Sequence, residues 1–328
     1  MIPASCFAGA RLAAGAFSIV ILLGGCASMV PQTMGLRDAW PAGVPERIEH
    51  SAVPFFAQDD YQCGPAALAT VLANTGAKVT PDELVKDVYL PARQGSLQVE
   101  MLAAARRFGL VSYQIAPKYT DLLREVAAGN PVVILQDLGA GVFTNWHYAV
   151  VVGYDYPAGE LYLRSGKVKR EVMPFTMLEY TWRESQYWAM VVMPPGGVPA
   201  TATEQGYLAS IAAMARVGEP RAAIAAYGGY LKRWPDNLPA SIALANSYYV
   251  LGELGNAEAV LRRAAERNPD SVVVLNNLAQ TVSDKGRNEE ALVIIEGAIR
   301  PDSLFLAEMR GTRALILERL GRKPVNPQ

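Results

Sequence analysis

The hydrophobic pattern divides the chain into a mixed segment and an entirely helical one. Early in the mixed segment, apolar residues at Leu68, Val71 and Leu72 have the spacing of a core-facing helix. Later apolar runs bounded by turn residues are typical of strands. The pattern predicts helices at about 65–74, 81–88, 98–108 and 120–128, and strands at about 110–115, 131–136, 146–154, 161–163, 168–172 and 188–192. Because helices precede a largely antiparallel sheet, we expect an α+β domain.

The helical segment repeats with a period of 34 residues. Three sets of residues keep this spacing: Gly218, Gly252 and Gly286; Ala223, Ala257 and Ala291; Pro235 and Pro269. The period resembles that of tetratricopeptide repeats, with Gly at the turn between helices, Ala where two helices touch, and Pro ending the second helix. Bulky Ile211 departs from this pattern in the first repeat. Later pairs spaced by seven residues, including Ala314 and Gly321, predict a final capping helix.

We therefore expect an all-α tetratricopeptide solenoid over 204–322. Such arrays bind extended peptides or partner proteins on a concave face. Together with the export signal described next, this predicts a partner protein in the cell envelope. A spacer or a dimerisation surface is the alternative interpretation.

The N-terminus carries a predicted export signal. Arg11 is followed by an apolar run over 12–23 that is too short to span a bilayer as a mature helix. The sequence Leu23-Gly24-Gly25-Cys26 resembles the bacterial lipobox, in which the cysteine is lipidated and becomes the first mature residue. The resemblance implies a signal peptide over 1–25 and a lipid anchor on Cys26. It also implies an envelope location, with the outer membrane facing the periplasm favoured over the inner membrane. A cleaved secretory signal and an uncleaved anchor helix are the alternatives.

Composition marks the remaining boundaries and excludes some functions. Pro- and Gly-rich stretches predict a tether over 26–47 and a linker over 194–203, which leaves one domain over 48–193 and the repeats over 204–322. The chain of 328 residues has a formal net charge of −1 and no basic block, so nucleic acid is not an expected partner. Two histidines and one mature free thiol leave no zinc-type cluster, and no cofactor is expected.

Cys63 is the candidate nucleophile. It lies in Gln62-Cys63-Gly64-Pro65, where Pro65 suits the first position of a helix and Gly64 allows a tight entry. Helix N–H groups and the positive end of the dipole would then lower the thiol pKa and favour the thiolate. A buried structural cysteine is the alternative interpretation.

A cysteine nucleophile needs a base, and imidazole is the side chain suited to neutral pH. His147 opens the predicted strand 146–154, whereas His50 precedes Cys63 in a predicted surface strand. His147 is therefore the predicted general base.

These residues resemble the papain-like cysteine peptidases that include the double-glycine leader peptidases of bacteriocin exporters. The resemblance rests on Gln58, on 62–68 and on the strand that starts at His147, and it covers about 49–193. It implies a papain-like fold in which Cys63 is the nucleophile, His147 the base and Gln58 a donor to the oxyanion. Gln62 is an alternative donor, because Gln58 lies one residue closer to Cys63 than expected. Cell-wall peptidases of the NlpC type fit less well, since their Asp-Cys-Ser motif is absent.

The third catalytic residue is the point of departure from that family, which usually has an Asp on the strand after the His. Asp155 lies eight residues along the strand, roughly 26 Å from His147, too far to orient its ring. Ser165 reaches the ring if the hairpin register allows, and a slip of one residue would turn it to the other face. Asn145 or a backbone carbonyl are further alternatives.

Two hypotheses on function follow. The first is a lipid-anchored cysteine peptidase that acts on a protein or peptide substrate recruited by its repeats. The alternative is a catalytically inactive papain-like and tetratricopeptide scaffold lipoprotein in the envelope.

Overall fold

The computed structural model describes residues 30–58, 62–139 and 143–322, which form two compact units. The first unit takes in the described chain up to Ala104 together with 114–192 and 199–201. The second takes in 105–113, 193–198 and the chain from Ala202 onward. A sheet-containing domain followed by a run of repeat helices is thus confirmed as the fold class.

The elements before the repeats alternate between helices and strands. The helices are α1 Pro31–Asp38, α2 Cys63–Asn74, α3 Pro81–Val88, α4 Gln98–Arg107, α5 Tyr119–Ala127 and α6 Phe175–Trp182. The strands are β1 Arg47–Glu49, β2 Tyr89–Leu90, β3 Gly95–Ser96, β4 Val111–Gln114, β5 Val132–Asp137, β6 Trp146–Asp155, β7 Glu160–Ser165, β8 Val168–Pro174 and β9 Ala189–Met193. Every helix and strand predicted from the pattern is present, with ends that differ by a few residues.

An antiparallel sheet holds the first unit together. Its central strands run in the order β9-β5-β6-β7-β8, and β1 adds to β6. The register sets Gln136 opposite His147, Val151 opposite Leu163, and Leu163 opposite Glu171. Strand β6 is buried from Tyr148 to Tyr154, which explains its continuous apolar sequence. Helix α2 contacts this sheet and is buried from Gly64 to Leu72.

Within the predicted tether over 26–47, the structure contains a helix that was not predicted, α1. The buried carboxylate of Glu179 accepts hydrogen bonds from the N–H groups of Gln32 at 2.8 Å and Thr33 at 2.6 Å. These are donors that the first turn of a helix leaves unsatisfied. The cap comes from a residue 146 positions along the chain, so local sequence gives no sign of it.

Helix α6 was not predicted, because its sequence is rich in aromatic and β-branched residues that favour strands. Burial of Phe175, Leu178 and Trp182 stabilises the helix instead. The Trp182 indole N–H donates to the Trp188 carbonyl at 2.8 Å. Tertiary packing therefore overrides local propensity here.

The second unit contains the repeat helices: α7 Glu204–Ala215, α8 Pro220–Arg233, α9 Leu238–Val250, α10 Leu254–Arg267, α11 Val272–Asp284, α12 Asn288–Ala298 and α13 Leu306–Arg319. Gly252, Gly286 and Gly321 have φ of 72°, 83° and 67° just after α9, α11 and α13, the left-handed conformation that ends many helices. Ala257 and Ala291 are fully buried. Gly252 and Gly286 thus lie at turns between helices, where the period predicts glycine, and α13 occupies the position of the expected additional helix.

The predicted linker is held at several points. In the first unit, the fully buried Glu125 accepts hydrogen bonds from the N–H of Thr201 at 2.7 Å and of Ala200 at 3.2 Å. In the second unit, the Tyr207 hydroxyl donates to the Gly197 carbonyl at 2.5 Å. The Pro/Gly break is thus a structured connection.

Within the described residues, no helix combines the length and apolar character needed to cross a bilayer. The predicted signal peptide and Cys26 lie outside those residues.

Candidate active site

Cys63 lies at the first position of α2, two residues before the predicted start. Gln62 precedes it without a side-chain cap, so the first N–H groups of the helix are left to other acceptors. Gly64 lets the neighbouring strand β3 approach, since a Cβ at this position would lie 2.2 Å from Ser96 Oγ. The sequence at this turn therefore sets a half-buried thiol at a helix N-terminus with β3 packed directly against it.

The expected lowering of the thiol pKa is not what the structure gives. Burial raises the pKa of the Cys63 thiol, against N–H groups of Tyr148, Gly64 and Cys63 itself that favour the thiolate. Desolvation disfavours the charged form, and here it outweighs the helix N-terminus. The sequence indicated the helix N-terminus, which favours the thiolate, but gave no measure of the burial that disfavours it.

The imidazole of His147 is held by Ser165. His147 Nε2 lies 2.9 Å from Ser165 Oγ, between the first residues of β6 and the last residue of β7. Because Val151 pairs with Leu163, His147 and Ser165 fall on the same face of the sheet. When Nε2–H donates to this hydroxyl, Nδ1 is left unprotonated and able to accept a proton.

The effect of burial on the His147 imidazole is only partly offset by a nearby negative charge. Burial lowers the pKa of His147, and the Glu171 carboxylate partly opposes this. Glu171 sits opposite Leu163 in the register, on the same face as Ser165. Both the thiol and the imidazole are thus shifted towards their neutral forms. Among the described residues, no hydrogen bond joins Cys63 Sγ to the His147 ring.

A cleft of about 1160 Å³ brings three of the four predicted residues together, and the fourth, Ser165, contacts His147 without being part of the described cleft wall. Cys63, His147 and Gln58 all line it. The Gln58 N–H donates to the Gly166 carbonyl at 3.2 Å, which fixes this segment against the β7–β8 turn. Gln62, the alternative oxyanion donor, is half-buried and is not part of the described cleft wall.

The alternative base and orienting residues are engaged elsewhere or make other contacts. His50 Nε2 lies 2.7 Å from the Val126 carbonyl. Asp155 forms an ion pair with Arg47 at 3.1 Å. Asn145 does line the cleft, and its N–H donates to Asp137 Oδ1 at 2.7 Å. Of the candidate orienting residues, Ser165 is the one with a side-chain contact to the His147 ring among the described residues.

Three groups at the site were missed by sequence reasoning. They are the Tyr148 N–H directed at the thiol, the carboxylate of Glu171, and Ser96, whose buried hydroxyl makes no hydrogen bond within the described residues. Tyr148 follows His147 directly, so its backbone was a discoverable candidate. Glu171 required the register of two hairpins, and Ser96 required the packing of β3 on α2.

Comparison with protein families gives two matches. Residues 50–190 match the Peptidase_C39 like family, and residues 215–271 match the Tetratricopeptide repeat. The first range contains every residue of the cleft described above. A search of curated proteins found no match.

Solved structures also resemble the first part of the chain. A C39-like peptidase from Bacillus anthracis is 18% identical with a TM-score of 0.39, and the match covers 45% of this chain and 98% of that one. A double-glycine motif protease from an AMS/PCAT transporter, in complex with the leader peptide, is 21% identical with a TM-score of 0.33, covering 43% and 91%. The peptidase domain of Streptococcus ComA, a bi-functional ABC transporter in a quorum sensing pathway, is 21% identical with a TM-score of 0.36, covering 43% and 98%.

Proposed function

We propose that this protein, which contains a Peptidase_C39 like domain followed by tetratricopeptide repeats, is a cysteine peptidase that hydrolyses peptide bonds. Cys63 is the nucleophile, His147 the general base and acid, and Ser165 the residue that orients the imidazole. Gln58 and the Cys63 N–H are the proposed donors to the oxyanion. The observation that carries the proposal is the 2.9 Å contact of Ser165 Oγ with Nε2 of His147, which lines the same cleft as Cys63.

The proposed reaction passes through a thioester intermediate, with a proton transfer through His147 in both its formation and its hydrolysis. His147 Nδ1 accepts the thiol proton as Sγ attacks the carbonyl carbon, and the oxyanion is stabilised by fixed N–H donors. The imidazolium then gives its proton to the leaving amine, which leaves a thioester. Water then attacks the thioester while His147 accepts its proton, the carbon–sulfur bond breaks to release the carboxylic acid product, and His147 returns the proton to Cys63 Sγ.

The pKa directions support a resting pair that is neutral. A raised thiol pKa and a lowered imidazole pKa both disfavour a preformed thiolate–imidazolium pair. We therefore expect iodoacetamide to alkylate Cys63 more slowly than a free thiol at pH 7, and to accelerate as the pH rises above the ordinary thiol pKa of about 8.5. Fast alkylation that is constant from pH 6 to 8 would show an ion pair and contradict this part of the proposal.

Turnover is the direct test of the proposed peptidase. The full chain is incubated with a proteome-derived peptide library, and new N-termini are identified by mass spectrometry. Cys63→Ala is the inactive control and Cys63→Ser the conservative one. We expect cleavage at a common sequence with the unmodified protein and none with Cys63→Ala. Cleavage that survives Cys63→Ala would overturn the proposal.

An inactive scaffold is the second candidate function. It is favoured by the neutral pKa directions and by the lack of a Cys63–His147 hydrogen bond among the described residues. A scaffold predicts that Cys63 forms no covalent adduct even with an electrophilic substrate analogue. Labelling by a peptide aldehyde or vinyl sulfone that requires His147 would exclude it.

Anchoring and recruitment are part of the same proposal. Cys26 would hold the protein to an envelope membrane by acyl chains, and the repeats would bring a protein substrate or partner to the cleft. Cys26→Ser should abolish labelling by a clickable fatty acid and release the protein into the periplasmic fraction. Membrane retention of that variant in high salt would show another anchor.

A further inference from the structure

The cleft wall carries two cations with no ion-pair partner among the described residues. Arg93 and Lys167 both line the cleft with Cys63, and both are exposed. Neither forms an ion pair within the part of the chain that the structure describes. The acidic side chain on the same wall, Glu184, is engaged by Arg183 at 2.9 Å. Among the described residues of the cleft wall, two cations therefore face a single carboxylate, and that carboxylate is already paired, in a chain whose formal net charge is −1.

Each cation is presented by a fixed turn. Arg93 ends a 3₁₀ turn that starts at Pro91, and Gln94 closes it with φ of 47° while its N–H donates to the Pro91 carbonyl at 3.2 Å. Lys167 follows Gly166, whose φ is 58°. The two charges come from separate elements and are held on the wall of one cleft.

Trp146 gives the same cleft an apolar surface. The residue is 47% exposed, and it lines the cleft together with His147. A large exposed aromatic residue on a cleft wall offers a surface on which a side chain or a peptide plane stacks. The two positive charges and the aromatic surface together determine which ligands fit the cleft.

We propose that the cleft selects acidic peptides, with a carboxylate placed between Arg93 and Lys167 and an apolar side chain stacked on Trp146. This proposal deepens the proposed function and rests on it for the chemistry, although binding does not require turnover. Complementary charge in a partly enclosed cleft raises the local concentration of such a substrate and speeds its association. Single-stranded nucleic acid also combines negative charge with stacking. Two cations in a chain of near-neutral charge favour the peptide.

The test measures binding in the full chain with Cys63→Ala, so that failure of catalysis does not obscure it. The probes are acetylated and amidated Ala-rich decapeptides with one Phe, in which Glu or its isostere Gln occupies each other position in turn. Isothermal titration calorimetry should give about five-fold tighter binding for Glu than for Gln at one or two positions. Raising the salt to 1 M should remove the preference.

Matched variants assign the effect to the cleft. Arg93→Gln and Lys167→Gln should each weaken the preference for Glu, and the double variant should abolish it. Lys86→Gln removes an exposed cation outside the cleft wall and should leave it unchanged. Equal affinity for Glu and Gln peptides, or an equal effect of Lys86→Gln, would overturn the proposal. Tighter binding of a dT10 oligonucleotide than of every Glu peptide would do the same. A retained Glu preference without any turnover would instead count only against the peptidase.

Discussion

Two sites in this chain shift the pKa values of their buried groups in opposite senses, one towards the neutral form and the other towards the charged form. At Cys63 and His147, burial moves both groups towards neutrality, and the opposing contacts are too weak to reverse it. In the repeats, burial also acts against the carboxylate of Glu258. Hydrogen bonds from Arg287, Lys285 and Arg262 nevertheless outweigh it and lower the pKa of Glu258 to about 2. Hydrogen bonds therefore outweigh the effect of burial on the pKa of Glu258, whereas burial determines the direction of the pKa shift at Cys63 and His147.

The difference indicates what each site contributes. A buried carboxylate with three cationic donors is stable only when the helices around it are in place, so it favours the folded repeats. A thiol and an imidazole held near neutrality are free to exchange a proton during a reaction. Changes at the first site should therefore appear in stability, and changes at the second in turnover.

Loss of the base should give the largest effect. His147→Ala removes the group that accepts the thiol proton, and we expect kcat/KM to fall by about 10³-fold. His147 is half-buried at the start of β6, so the melting temperature should change little. Turnover kinetics and calorimetry on one preparation check both points. Unchanged turnover would place the base elsewhere.

Loss of the orienting contact should cost less. Ser165→Ala leaves the base and removes its partner at 2.9 Å, so we expect kcat to fall by about ten-fold to one-hundred-fold with KM nearly unchanged. Ser165→Thr keeps the hydroxyl and should restore much of the rate. A merely structural role for Ser165 would lower stability in Ser165→Ala without this split between kcat and KM.

The sequence predicted the repeats more completely than the site. Gly252 and Gly286 mark helix ends by their own conformational freedom, so the period alone places the turns. The contact of His147 with Ser165 depends on a hairpin register, which the sequence left open. Local signals are sufficient in a solenoid because each repeat contacts its neighbours, whereas strands pair residues distant in sequence.

The errors have the same origin. Helix α1 was taken for a tether because its cap, Glu179, lies far along the chain. The thiol pKa was expected to fall because the helix N-terminus is visible in sequence and burial is not. Glu171 was missed because two registers bring it towards His147. In each case a long-range contact decided the outcome.

Removing the Glu258 carboxylate should lower the stability of the repeats without affecting turnover. Glu258→Gln leaves Arg287, Lys285 and Arg262 without their shared carboxylate, and we expect the repeats to lose about 2 kcal/mol. Because the folded pKa is depressed to about 2, this contribution is present above the ordinary pKa of about 4.5 and is lost as the pH falls towards 2. Urea unfolding at pH 7 and pH 3 measures it. Glu266→Gln, at an exposed position on the same helix, is the control. An equal loss in both variants would contradict the assignment.

The smallest effect should come from Glu171, the acidic group that acts on His147 without a hydrogen bond to it among the described contacts. Its charge raises the pKa of His147 against the lowering by burial, so Glu171→Gln should lower that pKa further. Since the base must be neutral to accept the thiol proton, the acid limb of kcat/KM should move to lower pH. At pH 7.5 the rate should change by less than about two-fold, because His147 is already neutral there. A pH–rate profile measures the shift, and Glu46→Gln, at an exposed position before β1, is the control. An acid limb that stays in place in Glu171→Gln, or moves equally in Glu46→Gln, would show that this carboxylate has no specific influence on the base.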